Sequence, residues 1–238
     1  MNKGDAMGEK NIELKLYHGT NRKRGQNFIK NQSMEASIGE KHWLGDGIYL
    51  FEDDFWAYWW IRELYKDKYL DQVYPDIYQL YLEKHYQVLI IKVNILKNRI
   101  FNLNNSKHKL EFIKVMKAIA EKQKYSDKME EQAKVEGIVL NYMFNELDYK
   151  RDFDLVKANF IRDENRYSRK NFKIRLAYNS QEQYCIKNSE IVNSIEELDF
   201  INKILSYYEI LDLLFIDKNP AVYYNYNQKD LYEIQGGD

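Results

Sequence analysis

A single cysteine, Cys185, leaves no partner for an internal disulfide, so this 238-residue chain cannot rest on a disulfide framework and suits a reducing compartment. Two prolines and the absence of any Ser/Gly-rich stretch leave no visible linker, and no internal repeat appears. Neither sign of charge dominates: 36 Lys and Arg against 37 Asp and Glu give a net charge of −1, so no global field draws the chain to nucleic acid or a membrane. No run approaches the ~18–20 apolar residues of a membrane span, and the first residues lack a signal-peptide core. Gly-x-Gly-x-x-Gly and Walker-type loops are absent, which removes the Rossmann and P-loop readings. His42, His85 and His108 have no ligand spacing with one another or with Cys185, so no metal is expected. These absences describe one cytoplasmic domain, long enough to bury a core.

The patterning that is present predicts an α/β (α+β) fold with two sheets. Strands are expected at Leu14–His18, Gly47–Phe51, Tyr86–Val93, Ile100–Leu103, Arg175–Tyr178 and Gln183–Ile186. The run from Val88 to Val93 is nearly continuous in apolar residues, as for a strand covered on both faces. Helices are expected at Gly25–Lys30, Asp54–Lys66, Lys107–Gln123, Glu130–Asn145 and Glu196–Leu214, with Asp53 or Asp54 capping the second. Residues 1–11 are polar and expected to fray; 12–195 form the domain, with a helical insertion at about 105–150. A C-terminal helix and a Tyr-rich tail (Tyr223, Tyr224, Tyr226) occupy 196–238.

Two short segments carry the chemistry. Leu14-Lys15-Leu16-Tyr17 alternates as a strand and breaks at His18-Gly19-Thr20; some thirty residues on, Gly47-Ile48-Tyr49-Leu50-Phe51 stands between Asp46 and Glu52-Asp53-Asp54. In this order and spacing they resemble the first two motifs of the diphtheria-toxin and poly(ADP-ribose) polymerase type of ADP-ribosyltransferase, the His-Tyr-Glu type. Ala57 and Trp60 after the second strand resemble a small bacterial toxin-like branch of that superfamily. Glu182-Gln183-Tyr184-Cys185-Ile186-Lys187-Asn188 stands where that branch has its late strand. The resemblance covers roughly residues 12–195 and is dense in these three patches.

The resemblance implies an ADP-ribosyltransferase-like fold, two packed and mostly antiparallel sheets flanked by helices, with NAD as the ADP-ribose donor. His18 would hydrogen-bond the adenosine ribose, Gly19 would offer its backbone to the nicotinamide amide, and Thr20 would hold a ribose hydroxyl. Gly47 opens the tyrosine strand and belongs to the same cofactor-binding set. Tyr49 would stack on the nicotinamide ring, and Trp59 or Trp60 would supply a second aromatic, Trp56, Trp59 and Trp60 otherwise being core. The third motif departs from the pattern: Gln183 aligns with the family glutamate, and an amide cannot take a proton. Strand alternation lets only one of Glu182 and Gln183 enter a cleft, so either is a candidate catalytic residue.

The expected activity is mono-ADP-ribosyl transfer to a protein or nucleic acid by a toxin or phage-defence effector, which implies a neutralising antitoxin or other regulatory partner. An NAD glycohydrolase and a non-catalytic binding module are the alternatives. Between Lys150 and Arg175, cations interleave with Phe153, Phe160, Tyr167 and Phe172. That pattern suits a single-stranded nucleic-acid surface, the NAD pyrophosphate, or a solvated face over a core stripe.

Overall fold

The computed structural model describes residues 10–39, 42–66, 82–122, 135–161 and 180–199. The elements are β1 (Asn11–Asn21), α1 (Arg22–Asn31), β2 (Ile48–Phe51), α2 (Asp54–Lys66), β3 (Tyr86–Leu96), β4 (Ile100–Asn102), α3 (Ser106–Lys122), α4 (Val135–Glu146), β5 (Leu155–Ile161), β6 (Ser180–Ile186) and β7 (Val192–Leu198). The strands form one seven-stranded sheet in the order β4-β5-β6-β2-β1-β3-β7. It is mixed: β4 and β5 run parallel, joined through the α3–α4 segment, and the other neighbours are antiparallel.

Two sheets were expected, and one hydrogen-bonded sheet is found; its two halves nevertheless face each other. Leu96 ends β3 and Ile100 starts β4, with a single 3-10 turn, Lys97–Arg99, between them. Four residue steps reach at most ~14 Å. In a flat sheet, β3 and β4 would lie five strand spacings apart, about 24 Å. The sheet therefore folds over, β4-β5-β6-β2 against β1-β3-β7. The core between the halves draws on both: Leu16, Leu89, Ile91, Val93 and Ile195 meet Ile48, Leu50, Leu155, Tyr184 and Ile186. The halves join at one register pair, Tyr17 with Phe51.

Helices cover the outer faces. Phe55, Trp56, Tyr58, Trp59 and Ile61 of α2 pack on Phe51 and Val88, and Val139, Leu140, Met143 and Phe144 of α4 pack on Phe101, Val156 and Cys185. The α2 bounds agree with expectation, and Asp53 Oδ1 accepts the Phe55 amide at 2.8 Å as the cap.

Two further expectations need correction. Glu196–Leu198 is not the start of a helix but the end of β7, paired with β3, so the division at 195/196 cuts a strand; Lys92 holds Glu196 at 2.7 Å across that pair. β5 was not foreseen and falls inside the stretch read as a basic, aromatic surface. Phe153 and Phe160 pack against the α3–α4 core, and Lys157 is ion-paired to Glu182, so these three are not free to stack bases or track a phosphate backbone. The strand at Arg175–Tyr178, Tyr167, Phe172 and the Tyr-rich tail lie outside the described residues.

Candidate active site

His18 sits where the two half-sheets part. Its Nδ1 lies 2.8 Å from the carbonyl oxygen of Tyr49, so the strand carrying the histidine and the strand carrying the tyrosine are bridged just beyond their one register pair. A carbonyl can only accept, which puts the proton on Nδ1 and leaves Nε2 as an acceptor. Desolvation outweighs this hydrogen bond, and the nearby Arg24 adds to it, lowering the His18 pKa to about 4; the ring is neutral at pH 7. Phe28 of α1 tilts against it at 6.3 Å.

Tyr49 is bound into the loop that precedes its strand. Its hydroxyl accepts the Leu44 amide at 2.8 Å and donates to the Gly45 carbonyl at 2.7 Å. Lys187 Nζ reaches the carbonyls of Leu44 and Asp46, and Asn141 of α4 accepts the Asp46 amide at 2.6 Å. Burial raises the Tyr49 pKa far above the phenol range. The ring beside Tyr49 is His42, at 5.6 Å. Trp59 is buried in the α2 cluster, where Trp56 lies 6.0 Å away, and Trp60 is 39% exposed; the structure does not bring either to Tyr49.

Gly19 and Gly47 have structural reasons to lack side chains. A Cβ at Gly19 would fall 2.2 Å from the Ala57 carbonyl oxygen, so α2 packs directly on this strand. Gly47 has φ +152, and a Cβ there would meet Cys185 Sγ at 2.4 Å. Thr20 is buried on the same strand face as His18, opposite Gln87 of β3.

Alternation on β6 separates the two candidates for the third residue. Gln183 is buried on the outer face, donating to Gln181 at 2.7 Å. Glu182 points the other way, into a cleft of about 220 Å³ lined by Glu52, Asp53, Trp56, Asn159, Ser180 and Glu182. Lys157 Nζ lies 2.5 Å from Glu182 Oε1, and the Tyr184 hydroxyl donates to the same oxygen at 2.6 Å. Glu52 continues the β2–β6 ladder through its amide to the Glu182 carbonyl. Burial, then the charge of Glu182 and a hydrogen bond with it, hold the Glu52 pKa above the usual carboxylate value. His18 follows Tyr17 and Glu52 follows Phe51, on opposite sides of the junction; strand spacing separates their Cα atoms by roughly 8–10 Å. Sequence reasoning missed Glu52, Asn159 and Lys157, because only strand register reveals which residues lie beside Glu182.

Among the described residues, no three His, Cys, Asp or Glu side chains gather as a metal set, and no helix is long and apolar enough to cross a membrane. Fold and site together define an α+β protein whose folded mixed sheet carries a neutral histidine at its joint and a carboxylate-lined cleft beside it. No family model matches the chain, and no solved structure matches it. The chain is 35% identical over 214 residues to the uncharacterized protein MJ0359 of the archaeon Methanocaldococcus jannaschii, covering 84% of this chain and 95% of that one. It belongs to the same family as that archaeal protein.

Proposed function

We propose that this protein is an NAD-dependent mono-ADP-ribosyltransferase. The observation that carries the reading is the His18–Tyr49 bridge: the two motif strands meet at one register pair, and the imidazole spans them beside it. A neutral ring with its Nδ1 proton already committed offers Nε2 as an acceptor for a ribose hydroxyl, and Arg24 next to it suits a dinucleotide's phosphate charge. When bound, NAD supplies an activated ribose whose C1′ becomes electron-poor as nicotinamide leaves. The chain's part is to orient that ribose and stabilise its developing charge. Tyr49 contributes its main-chain carbonyl: its hydroxyl is taken up by the loop, and its ring packs against the α3–α4 core on the sheet face opposite His18. Single transfer rather than chain growth is expected, since Gln183 cannot take a proton and is hydrogen-bonded to Gln181.

The test is incubation of the purified full chain with NAD labelled in its adenylate half and a cell lysate, separated into protein and nucleic-acid fractions. Retained label that disappears with His18→Ala supports transfer. Free labelled ADP-ribose with nicotinamide release makes the protein a glycohydrolase, and intact NAD at saturating concentration removes the reading.

A further inference from the structure

The cleft beside the junction has a composition that the donor does not account for. Among the described residues, Glu52, Asp53 and Glu182 set three carboxyl groups against the ammonium of Lys157, an arrangement that would repel a phosphodiester backbone. The remaining lining is Trp56, Asn159 and Ser180, an indole and two groups able to accept hydrogen bonds. A planar cation with several donors satisfies all of these at once: it can stack on the indole and present two N–H groups to a carboxylate. Glu182 is held for such a role, its Oε1 engaged by Lys157 at 2.5 Å and by the Tyr184 hydroxyl at 2.6 Å.

Resting on the ADP-ribosyl-transfer reading, we infer that this cleft is the acceptor subsite, that it takes a guanidinium, the arginine side chain of a protein substrate, and that Glu182, paired with Glu52, is the base that Gln183 cannot be. The step balances. The C1′–N bond to nicotinamide breaks and its electron pair stays on the ring nitrogen. A guanidinium nitrogen bonds C1′ and passes one proton to the Glu182 carboxylate, from which Glu52 and water can relay it. Glu52 suits this because it lines the same cleft and its amide donates to the Glu182 carbonyl, which places the two side chains side by side.

The experiment has two arms on the full chain. In the first, agmatine, a small guanidinium compound, is titrated into the protein without NAD and followed by calorimetry. Saturable binding is expected, weakened tenfold or more in Glu182→Gln and in Glu52→Gln, with thermal melting checking that both variants fold. In the second, labelled NAD is offered with agmatine, with an arginine-containing peptide and with an RNA oligonucleotide. Label on the guanidinium compounds and none on RNA is expected, with transfer falling ~100-fold or more in Glu182→Gln, the scale of a lost general base. Label on RNA, or undiminished transfer by Glu182→Gln, overturns the assignment. Nicotinamide release without guanidinium label overturns it while the donor reading stands. Agmatine binding without any NAD cleavage keeps the guanidinium subsite and removes the donor reading together with the catalytic role of Glu182.

Discussion

The His18 Nδ1–Tyr49 carbonyl hydrogen bond, 2.8 Å long, couples a side chain on one half-sheet to the backbone of the other, beside the one pair of residues that joins them. Because the acceptor is a main-chain oxygen, the bond does not depend on what side chain stands at position 49. It also fixes which nitrogen carries the proton.

The burial of this ring, which outweighs the bond, predicts a pH dependence of stability. The His18 pKa is lowered from the free value of 6.5 to about 4, so between these values the unfolded chain binds more protons than the native one. Stability therefore rises with pH across that window, is fully present above about 6.5, and is lost as pH falls toward 4. The contribution is at most roughly 3 kcal/mol at one pKa unit per 1.36 kcal/mol. Melting temperatures from pH 4 to 7 should climb more steeply for the wild type than for His18→Gln. Parallel curves would mean that the ring titrates normally in the native state.

Tyr49→Phe should cost roughly 1–3 kcal/mol, because it strips the buried Leu44 amide of its acceptor and the Gly45 carbonyl of its donor. The ring and the backbone carbonyl remain, so the His18 bond and the packing against the α3–α4 core survive. Urea denaturation of the variant measures this. An unchanged midpoint would show that the loop from Leu44 to Gly47 does not need the hydroxyl as its clamp.

Where sequence patterning was legible, one physical cause acted alone. The boundary between β2 and α2 is written in Asp53 and Asp54, and β3 in a continuous apolar run. β5 was illegible because one of its faces turns polar beside the cleft: Asn159 lines it and Lys157 pairs with Glu182, where an alternating strand would have apolar residues. β7 was read as a helix start because Glu196 and Glu197 are exposed on both faces of this edge strand, which breaks the apolar alternation expected of a strand. His18 and Tyr49 could be found from local motifs. The pairing of Glu52 with Glu182 depends on register between strands more than a hundred residues apart, which no local pattern encodes.

Asp154 is the tie that keeps the sheet folded over. Its carboxylate takes Arg99 in a two-pronged ion pair and accepts from Asn188 at 3.1 Å; its carbonyl accepts the Lys187 and Asn188 amides, and its own amide donates to Arg99. One residue thus holds both short connectors, β3 to β4 and β6 to β7. The Arg99 hydrogen bond is the main cause that holds its pKa below the usual value. This stability is present above the unfolded carboxylate pKa and lost as pH falls through the lower, native one. Asp154→Ala should cost roughly 2–4 kcal/mol by taking the carboxylate from the partly buried Arg99 guanidinium and from the two connectors. Denaturant unfolding checks this, and Asp154→Asn, which keeps an acceptor, should lose less.

Gln87 is fully buried opposite Thr20, and among the described residues neither amide atom has a hydrogen-bond partner. Gly25 of α1 presses on it so closely that a Cβ there would stand 1.9 Å from its Nε2. An amide desolvated without compensation is unfavourable, so Gln87→Met, similar in shape and apolar, should stabilise the fold by about 1–2 kcal/mol. For a chain of this length each 1 kcal/mol raises the melting temperature by about 2–4 °C. Gln87 lies on the His18 strand's own neighbour, so the same variant separates two explanations for its retention. If NAD affinity is unchanged while the melting temperature rises, the amide is a tolerated defect of packing. If affinity falls as stability rises, the amide is kept for a ligand that α1 must shift to admit. A lower melting temperature would mean that the amide stabilises the fold where it stands.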